Sequence, residues 1–201
     1  MNGIICGTYP GEAISPDVRE TAKRLGVPAY SALDDADRYV DLVRNASSCA
    51  FSAVVTDVKL GGYGMIDLGF GEFCSFGLEK ILSGCGKAFV FGVTLGIGVD
   101  RLLMRYENVS SAKHFILDAA ASAFCEALCD TVDSSLRSEL SPGLVCVPRF
   151  SPGYGDLSLA VQPGILGMIC AGRTLGITLN DALLMTPRKS ITAIMGIKNE
   201  K

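Results

Sequence analysis

The most constraining feature of the sequence is one long segment with helical periodicity, running from Ser110 to about Glu139. Apolar residues recur along it three and four positions apart, which is the spacing of one face of an α-helix. They are Phe115, Ile116, Ala119, Ala120, Ala123, Phe124, Ala127, Leu128, Val132 and Leu136. Ser110 can cap the helix, and Ser141-Pro142-Gly143 ends it. Because alanine dominates the apolar face, we expect neighbouring backbone to approach this helix closely.

Strand patterns and shorter helices surround the long helix. Lys87 to Leu95 is a nearly continuous apolar run, as in strands that are buried on both faces. Ser75 can cap a short helix that ends at Gly84, and another helix begins near Val99. The predicted strands are 51–58, 65–68, 87–95, 144–147, 175–179 and 190–197. Helices and strands are intermixed without regular βαβ alternation, which predicts an α+β fold with a mixed or antiparallel twisted sheet and flanking helices.

The N-terminal quarter differs in character from the rest. Ser15-Pro16-Asp17 is a helix start, with Pro at the first helical position, and this helix is predicted to end at Leu25. A second, Asp-rich helix is predicted over 32–44. We therefore predict that residues 1–48 form an N-terminal helical extension packed on an α+β core of residues 49–201.

Composition excludes several classes of protein. A chain of 201 residues buries about 70% of its unfolded surface on folding, so it needs no disulfide or metal for stability. The net charge of −3 is not gathered into the basic stripe of a nucleic-acid binder. No apolar run reaches the length of a membrane span. The start of the chain lacks the basic region of a signal peptide, so we expect a cytoplasmic location.

The eight cysteines occur without any Cys-x-x-Cys pair. In the absence of a secretory signal, we expect reduced, buried residues that act as small apolar side chains. Cys125 and Cys129 are four apart on the long helix, but no second pair accompanies them, so no metal site is predicted.

Polar and turn-forming residues are concentrated between Val147 and Gln162. Pro152-Gly153 predicts a turn, with Arg149 at the end of a strand before it and Tyr154 beyond it. A guanidinium in such a place can hold a carboxylate through two hydrogen bonds, while the turn offers backbone groups to a ligand. The alternative is that this segment only connects two elements.

No self-sufficient catalytic constellation can be found elsewhere. The one histidine, His114, lacks the flanking residues of the cobalt-ligating pattern Asp-x-His-x-x-Gly, since Ala112 and Leu117 stand there. Gly96-x-Gly98 lacks the third glycine of a dinucleotide-binding turn, because Arg101 occupies that position. We predict no catalytic residue, and this favours a binding or accessory role.

Two ordered motifs carry a resemblance to a known family. Arg149-x-x-Pro152-Gly153-Tyr154 resembles the Arg-x-x-x-Gly-Tyr signature of the activation domain of cobalamin-dependent methionine synthase. Leu175-Gly-Ile177-Thr-Leu179, followed by Met185-x-Pro187-x-x-Ser190-Ile-Thr192, is similar to the closing segment of that domain. The first hundred residues are similar only in element order, and resemble free-standing activation-domain-like proteins more than the fused domain.

The resemblance implies a ligand, a partner and site residues. It implies that the domain binds S-adenosylmethionine and caps a corrinoid protein, where an electron from flavodoxin or a reductase helps to restore methylcobalamin. Arg149 would hold the carboxylate of the methionyl group, and Tyr154 would help to fix the ligand. The backbone of Ser151, Pro152 and Gly153 would contact it at close range.

The sequence departs from the fused family after Tyr154, where it continues Gly155-Asp156-Leu. The acidic residue that would bind the amino group of the ligand is not assigned by the resemblance. Asp100, Glu72 and Asp156 are the candidates.

Three hypotheses follow from these observations. The first is an accessory protein that supports, in trans, the reactivation of a cobalamin-dependent methionine synthase or a related methyltransferase, with cobalamin only on the partner. The second is a binding module or enzyme that reuses the same fold for another small, anionic ligand. The third is a structural partner protein that has lost ligand binding.

Overall fold

The structure, a computed structural model, describes residues 3–17 and 36–200. The strands are β1 (Ile5–Thr8), β2 (Ala50–Asp57), β3 (Lys59–Gly62), β4 (Met65–Asp67), β5 (Glu72–Cys74), β6 (Lys87–Thr94), β7 (Leu144–Cys146), β8 (Thr178–Leu179), β9 (Met185–Thr186) and β10 (Ser190–Asn199). The helices are α1 (Ala36–Ala46), α2 (Phe76–Leu82), α3 (Ile97–Glu107), α4 (Ser111–Ser138), α5 (Gln162–Met168) and α6 (Ala171–Thr174). The helix predicted from Ser15 to Leu25 lies mostly outside the described residues.

A five-stranded sheet forms the centre of the molecule, in the order β1-β2-β6-β10-β7. All of its neighbouring strands are antiparallel. β6 is the middle strand and pairs along its whole length with both β2 and β10. Every residue of β6 after Lys87 is buried, as the apolar run in the sequence predicts. The predicted α+β fold with an antiparallel sheet and flanking helices is confirmed.

The central sheet is covered on both faces. Phe89, Phe91 and Val93 of β6 pack into one apolar cluster with α1, α3 and α4. Ala88 and Val90 of the same strand pack into a second cluster with α2, α5, α6 and the small sheet β3-β4-β5. This division follows from the alternation of side chains along a strand. Two separate apolar layers therefore hold the sheet in place.

The long helix forms as the sequence predicts, and its N-cap is Ser110, whose hydroxyl accepts a hydrogen bond from the backbone N–H of Lys113. Ala120 and Ala121 are fully buried in the cluster that α1 shares. α3 and α1 also approach each other closely: a Cβ added to Gly98 at the start of α3 would lie 2.2 Å from the carbonyl oxygen of Ala46, the last residue of α1. Only glycine fits there without moving backbone.

Several short elements were not predicted. Residues 5–8 form the edge strand β1, and the predicted strand 175–179 shortens to β8 because α6 and a left-handed Gly176 (φ +65°) precede it. All eight cysteines are free thiols. Four are buried as predicted (Cys49, Cys85, Cys125 and Cys129), Cys146 and Cys170 are half-buried, and the prediction of burial is wrong for Cys6 and Cys74, which are exposed. In the described part of the chain, no helix is both long and apolar enough to cross a membrane.

Candidate functional site

A cavity of about 800 Å³ lies between α4, the loop that follows β7, and residues 13–17. The loop contributes Arg149, Ser151 and Tyr154 to its wall, and α4 contributes Glu126 and Asp130. A volume of this size is in the range of small-molecule sites. Among the described residues that line it, none is a histidine or a cysteine.

The loop of residues 149–156, called the motif loop below, is built on the edge of the central sheet. Phe150 and Ile194 of β10 exchange two backbone hydrogen bonds, with N–O distances of 2.8 and 2.9 Å. The predicted turn at Pro152-Gly153 is present, and Gly153 has a φ of +88°, which favours glycine. The N–H of Tyr154 donates to the carbonyl of Ser151 at 3.2 Å. The chain is therefore reversed just before Tyr154.

Arg149 is held by a stripe of three carboxylates on α4, called the acidic stripe below: Glu126, Asp130 and Asp133. One guanidinium nitrogen, Nη1, lies 2.6 Å from Asp130 Oδ1 and 3.5 Å from Asp133 Oδ2. The other, Nη2, lies 3.2 Å from Glu126 Oε2. The Arg149 side chain is 25% exposed, whereas Glu126 and Asp130 are 54% and 66% exposed. Arg149 is thus fixed in the cavity wall, with two well-exposed carboxylates beside it.

A second arginine connects the acidic stripe to the sheet. Arg137 forms an ion pair with Asp133 one turn earlier on α4. Its remaining N–H groups donate to the carbonyls of Cys146 and Val147 at 2.8 and 3.1 Å. Since these carbonyls lie at the end of β7, Arg137 ties α4 to the strand that leads into the motif loop.

The charge states in this region are well defined. Burial alone would lower the pKa of Arg149, but the neighbouring carboxylates of Asp130 and Glu126 raise it above the ordinary value for arginine. Burial is also the main cause that raises the pKa of the Cys129 thiol to about 12. At neutral pH, Arg149 is a cation and Cys129 is a neutral thiol.

The acidic stripe was not recognised in the sequence. Its residues are four and three positions apart, which places them on one face of a helix. This spacing, in a helix whose other face is apolar, was the signal in the sequence that could have indicated the acidic stripe. A solvated helix face has the same pattern, however, and only the position of Arg149 in space distinguishes the two.

The acidic residues that the sequence offered as candidates lie elsewhere. The carboxylate of Asp100 is buried and accepts from the backbone N–H of Arg188 at 2.9 Å. Asp156 binds the start of α2 through the hydroxyl of Ser75. Glu72 is in β5, and none of these three lines the cavity. None of the three candidates therefore faces this cavity; among the described residues, the acidic ones that line it are Asp17, Glu126 and Asp130.

The five predicted site residues divide into two groups. Arg149, Ser151 and Tyr154 line the same cavity. Pro152 is buried behind the turn and Gly153 shapes it, and neither lines the cavity. Tyr154 is 65% exposed, so most of its ring is accessible. That all five contact a ligand remains a prediction.

The geometry suits a small molecule that carries charges of both signs. A fixed guanidinium can bind a carboxylate through two parallel hydrogen bonds. The exposed carboxylates of Glu126 and Asp130 can accept from an ammonium group a few ångströms away. Tyr154 and Phe150 add aromatic surface to the same wall, which can contact an apolar or cationic part of the ligand.

Comparison with known proteins supports the fold. No protein-family model matches the chain, and no curated protein matches it by sequence. Among solved structures, it is similar to the MetH reactivation domain bound to AdoHcy, with a TM-score of 0.75 at 14% sequence identity. The similarity covers 100% of this chain and 80% of that one. The activation-domain-like fold predicted from the sequence is confirmed.

Proposed function

We propose that this protein binds S-adenosylmethionine in the cavity between α4 and the motif loop. The observation that carries the proposal is that Arg149 and Tyr154, the two side chains of the Arg-x-x-x-Gly-Tyr motif, line one cavity. The solved domain that shares the fold has AdoHcy, the demethylated form of this ligand, bound to it. The role proposed is support of the reductive methylation of a corrinoid cofactor carried by a cytoplasmic partner.

The charge of the site matches this ligand. The acidic stripe carries three negative charges, and Arg137 and Arg149 carry two positive ones, so this network has one net negative charge. S-adenosylmethionine has a carboxylate, an ammonium and a sulfonium, and therefore one net positive charge. A site of this sign favours it over an anion.

A specific orientation follows from these contacts. The carboxylate of the ligand accepts hydrogen bonds from the guanidinium of Arg149. It thereby replaces part of the ion pair between Arg149 and Asp130. The carboxylates of Glu126 and Asp130 then accept from the ammonium of the ligand. Tyr154 offers its exposed ring to the sulfonium, an interaction of about 0.5–2 kcal/mol.

The rest of the reaction belongs to partners. These 201 residues contain no cobalt-ligating motif around His114, so we propose that a separate corrinoid protein or core methionine synthase presents the cobalamin. A flavodoxin or a reductase is the proposed source of the electron. Bound S-adenosylmethionine supplies the methyl group, and this chain holds and orients it, so its contribution to methyltransferase activity is auxiliary.

The binding step is tested by thermal unfolding and calorimetry with S-adenosylmethionine, S-adenosylhomocysteine and ATP. A ligand at one hundred times its Kd stabilises a protein by about 2.7 kcal/mol, and this is expected for the first two ligands and not for ATP. Stabilisation by ATP or by an unrelated acid alone would instead favour the anionic-ligand hypothesis, and no response to any ligand would favour the structural one.

The role in trans is tested separately. A cobalamin-dependent methionine synthase that lacks its activation domain is inactivated by oxidation and then incubated with this protein, S-adenosylmethionine and a flavodoxin system. Recovery of turnover that requires both this protein and the methyl donor is expected. If the protein binds S-adenosylmethionine but no turnover is recovered, the proposed binding site stands and the proposed partner is refuted.

A further inference from the structure

The C-terminal end of the motif loop, at Asp156, is bonded to the start of α2. The proposed ligand site does not account for this contact. The carboxylate of Asp156 accepts a hydrogen bond from the hydroxyl of Ser75 at 2.6 Å and from the backbone N–H of Phe76 at 2.6 Å. It also accepts from the N–H of Gly77 at 3.2 Å. These donors form the first turn of α2, about eighty positions earlier in the chain.

The first turn of α2 is built to receive this carboxylate. Ser75 is the N-cap and already accepts from the N–H of Leu78, which leaves the N–H groups of Phe76 and Gly77 without a partner in the helix. A Cβ added to Gly77 would lie 2.9 Å from Asp156 Oδ1, so a side chain there would push the carboxylate away. A carboxylate at a helix start is also favoured by the helix dipole.

Tyr154 depends on this contact for its position. Its ring is 65% exposed and therefore has little packing of its own. The N–H of Leu157 donates to the carbonyl of Tyr154 at 3.1 Å, and the N–H of Gly153 donates to the carbonyl of Leu157 at 2.8 Å. Asp156 lies inside this small ring of bonds, so anchoring Asp156 to α2 anchors the backbone of Tyr154.

The two ends of the motif loop are thus fixed to different layers of the molecule. Arg149 is held by α4 on one face of the sheet, and Asp156 is held by α2, which packs on the other face. We propose that Asp156 is a positioning residue for the ligand site, which acts by holding Tyr154 at the cavity wall through α2. This inference rests on the proposed function, because it concerns the same ligand.

The test compares the two ends of the contact. Affinity for S-adenosylhomocysteine is measured by calorimetry for the wild type, Asp156→Ala, Ser75→Ala and the double variant. Asp156→Ala is expected to bind roughly tenfold more weakly, because the free variant must order residues 153–157 when the ligand binds. Ser75→Ala is expected to weaken binding in the same direction, and the double variant to bind no more weakly than Asp156→Ala. Asp156→Asn, which retains an acceptor oxygen, is expected to recover part of the affinity.

The control is Ser110→Ala, which removes the N-cap of α4 without touching Asp156. It is expected to lower the melting temperature and leave affinity unchanged. Hydrogen exchange of residues 153–157, measured on the same samples without ligand, is expected to accelerate in Asp156→Ala and Ser75→Ala only.

Each other outcome contradicts a different statement. Wild-type affinity in Asp156→Ala would overturn the positioning role. Weakened binding in Asp156→Ala with unchanged binding in Ser75→Ala would refute the contribution of the Ser75 hydroxyl, since the N–H groups of Phe76 and Gly77 still hold the carboxylate in that variant. If the wild type bound neither S-adenosylhomocysteine nor S-adenosylmethionine, the proposed function would fail, and unchanged exchange at residues 153–157 would separately refute the anchoring of Tyr154.

Discussion

Replacement of Arg149 by alanine is the direct test of the proposed carboxylate anchor. The guanidinium is both the proposed carboxylate anchor and a member of the ion-pair network on α4. The variant is expected to fold and to lose its ligand.

The loss of stability can be bounded from the contacts. The pairs with Glu126 and Asp130 involve carboxylates that are more than half exposed, and such pairs contribute about 0.2–1 kcal/mol each. Asp133 is nearly buried but keeps its ion pair with Arg137. We therefore expect a loss of about 1–2 kcal/mol in the free energy of unfolding. For a chain of this size, that lowers the melting temperature by about 2–8 °C.

The loss of affinity is expected to be larger. A hydrogen-bonded pair of charged groups contributes about 1.5–3 kcal/mol, and the variant leaves the acidic stripe facing the ligand carboxylate without its nearest cation. A loss of at least 2 kcal/mol corresponds to a Kd about thirtyfold higher. Calorimetry with S-adenosylmethionine at pH 7.5 measures this, and circular dichroism and thermal unfolding report on the fold.

The chain offers a matched control in Arg44. Its side chain has the same exposed fraction of 25%, forms an ion pair with Asp41, and lies over the ring of Phe124 on α4. Arg44 does not line the cavity. Arg44→Ala is expected to lower stability by a similar amount and to bind the ligand normally. If Arg149→Ala bound S-adenosylmethionine with the affinity of the wild type, the proposed anchor would be rejected.

Three further predictions follow from the structure. Glu126→Gln combined with Asp130→Asn removes two negative charges from the cavity wall. The affinity for S-adenosylmethionine should therefore fall about tenfold more than the affinity for S-adenosylhomocysteine, which is less positive. An equal loss of affinity for both ligands in calorimetry would refute charge selection. Gly98→Ala forces a Cβ against the carbonyl of Ala46 and should cost about 1–3 kcal/mol in urea unfolding. An unchanged transition midpoint would show that the two helices can separate freely. The hydrogen bond from Ser75 and the N–H groups of α2 lower the pKa of Asp156, so the stability it adds is present at neutral pH and is lost as the pH falls through that lowered value. Asp156→Asn should therefore lose less stability than the wild type between pH 7 and pH 3, and parallel losses would contradict this.

Local signals explain why much of the fold could be predicted. The helix of residues 111–138 has its own cap at Ser110 and a continuous apolar face, so its existence depends on residues near one another in the chain. The strand of residues 87–94 is apolar almost throughout because both of its faces are buried. The edge strand of residues 5–8 has only four residues and exists through its pairing with β2. Nothing within those four residues distinguishes it from a loop.

The candidate site likewise contains residues that the local sequence indicates and residues that only the tertiary structure brings together. Arg149 and Tyr154, which line one cavity, could be proposed from the sequence because they belong to one short motif with a recognisable turn between them. Glu126 and Asp130 were missed because their spacing also fits an ordinary solvated helix face. The contact of Asp156 with α2 could not be predicted, because that helix begins about eighty residues earlier in the chain.

By itself, the sequence determined the main helices and strands, the turn of the motif loop and the pair of residues at its two sides. These depend on caps, periodicity and backbone preferences, which act over a few residues. The tertiary structure alone decided which carboxylates face Arg149 and which helix holds Asp156. The reason is physical: an ion pair or a helix cap between distant residues needs atoms within about 3 Å, and only the packing of α4 and α2 on opposite faces of the sheet brings them that close.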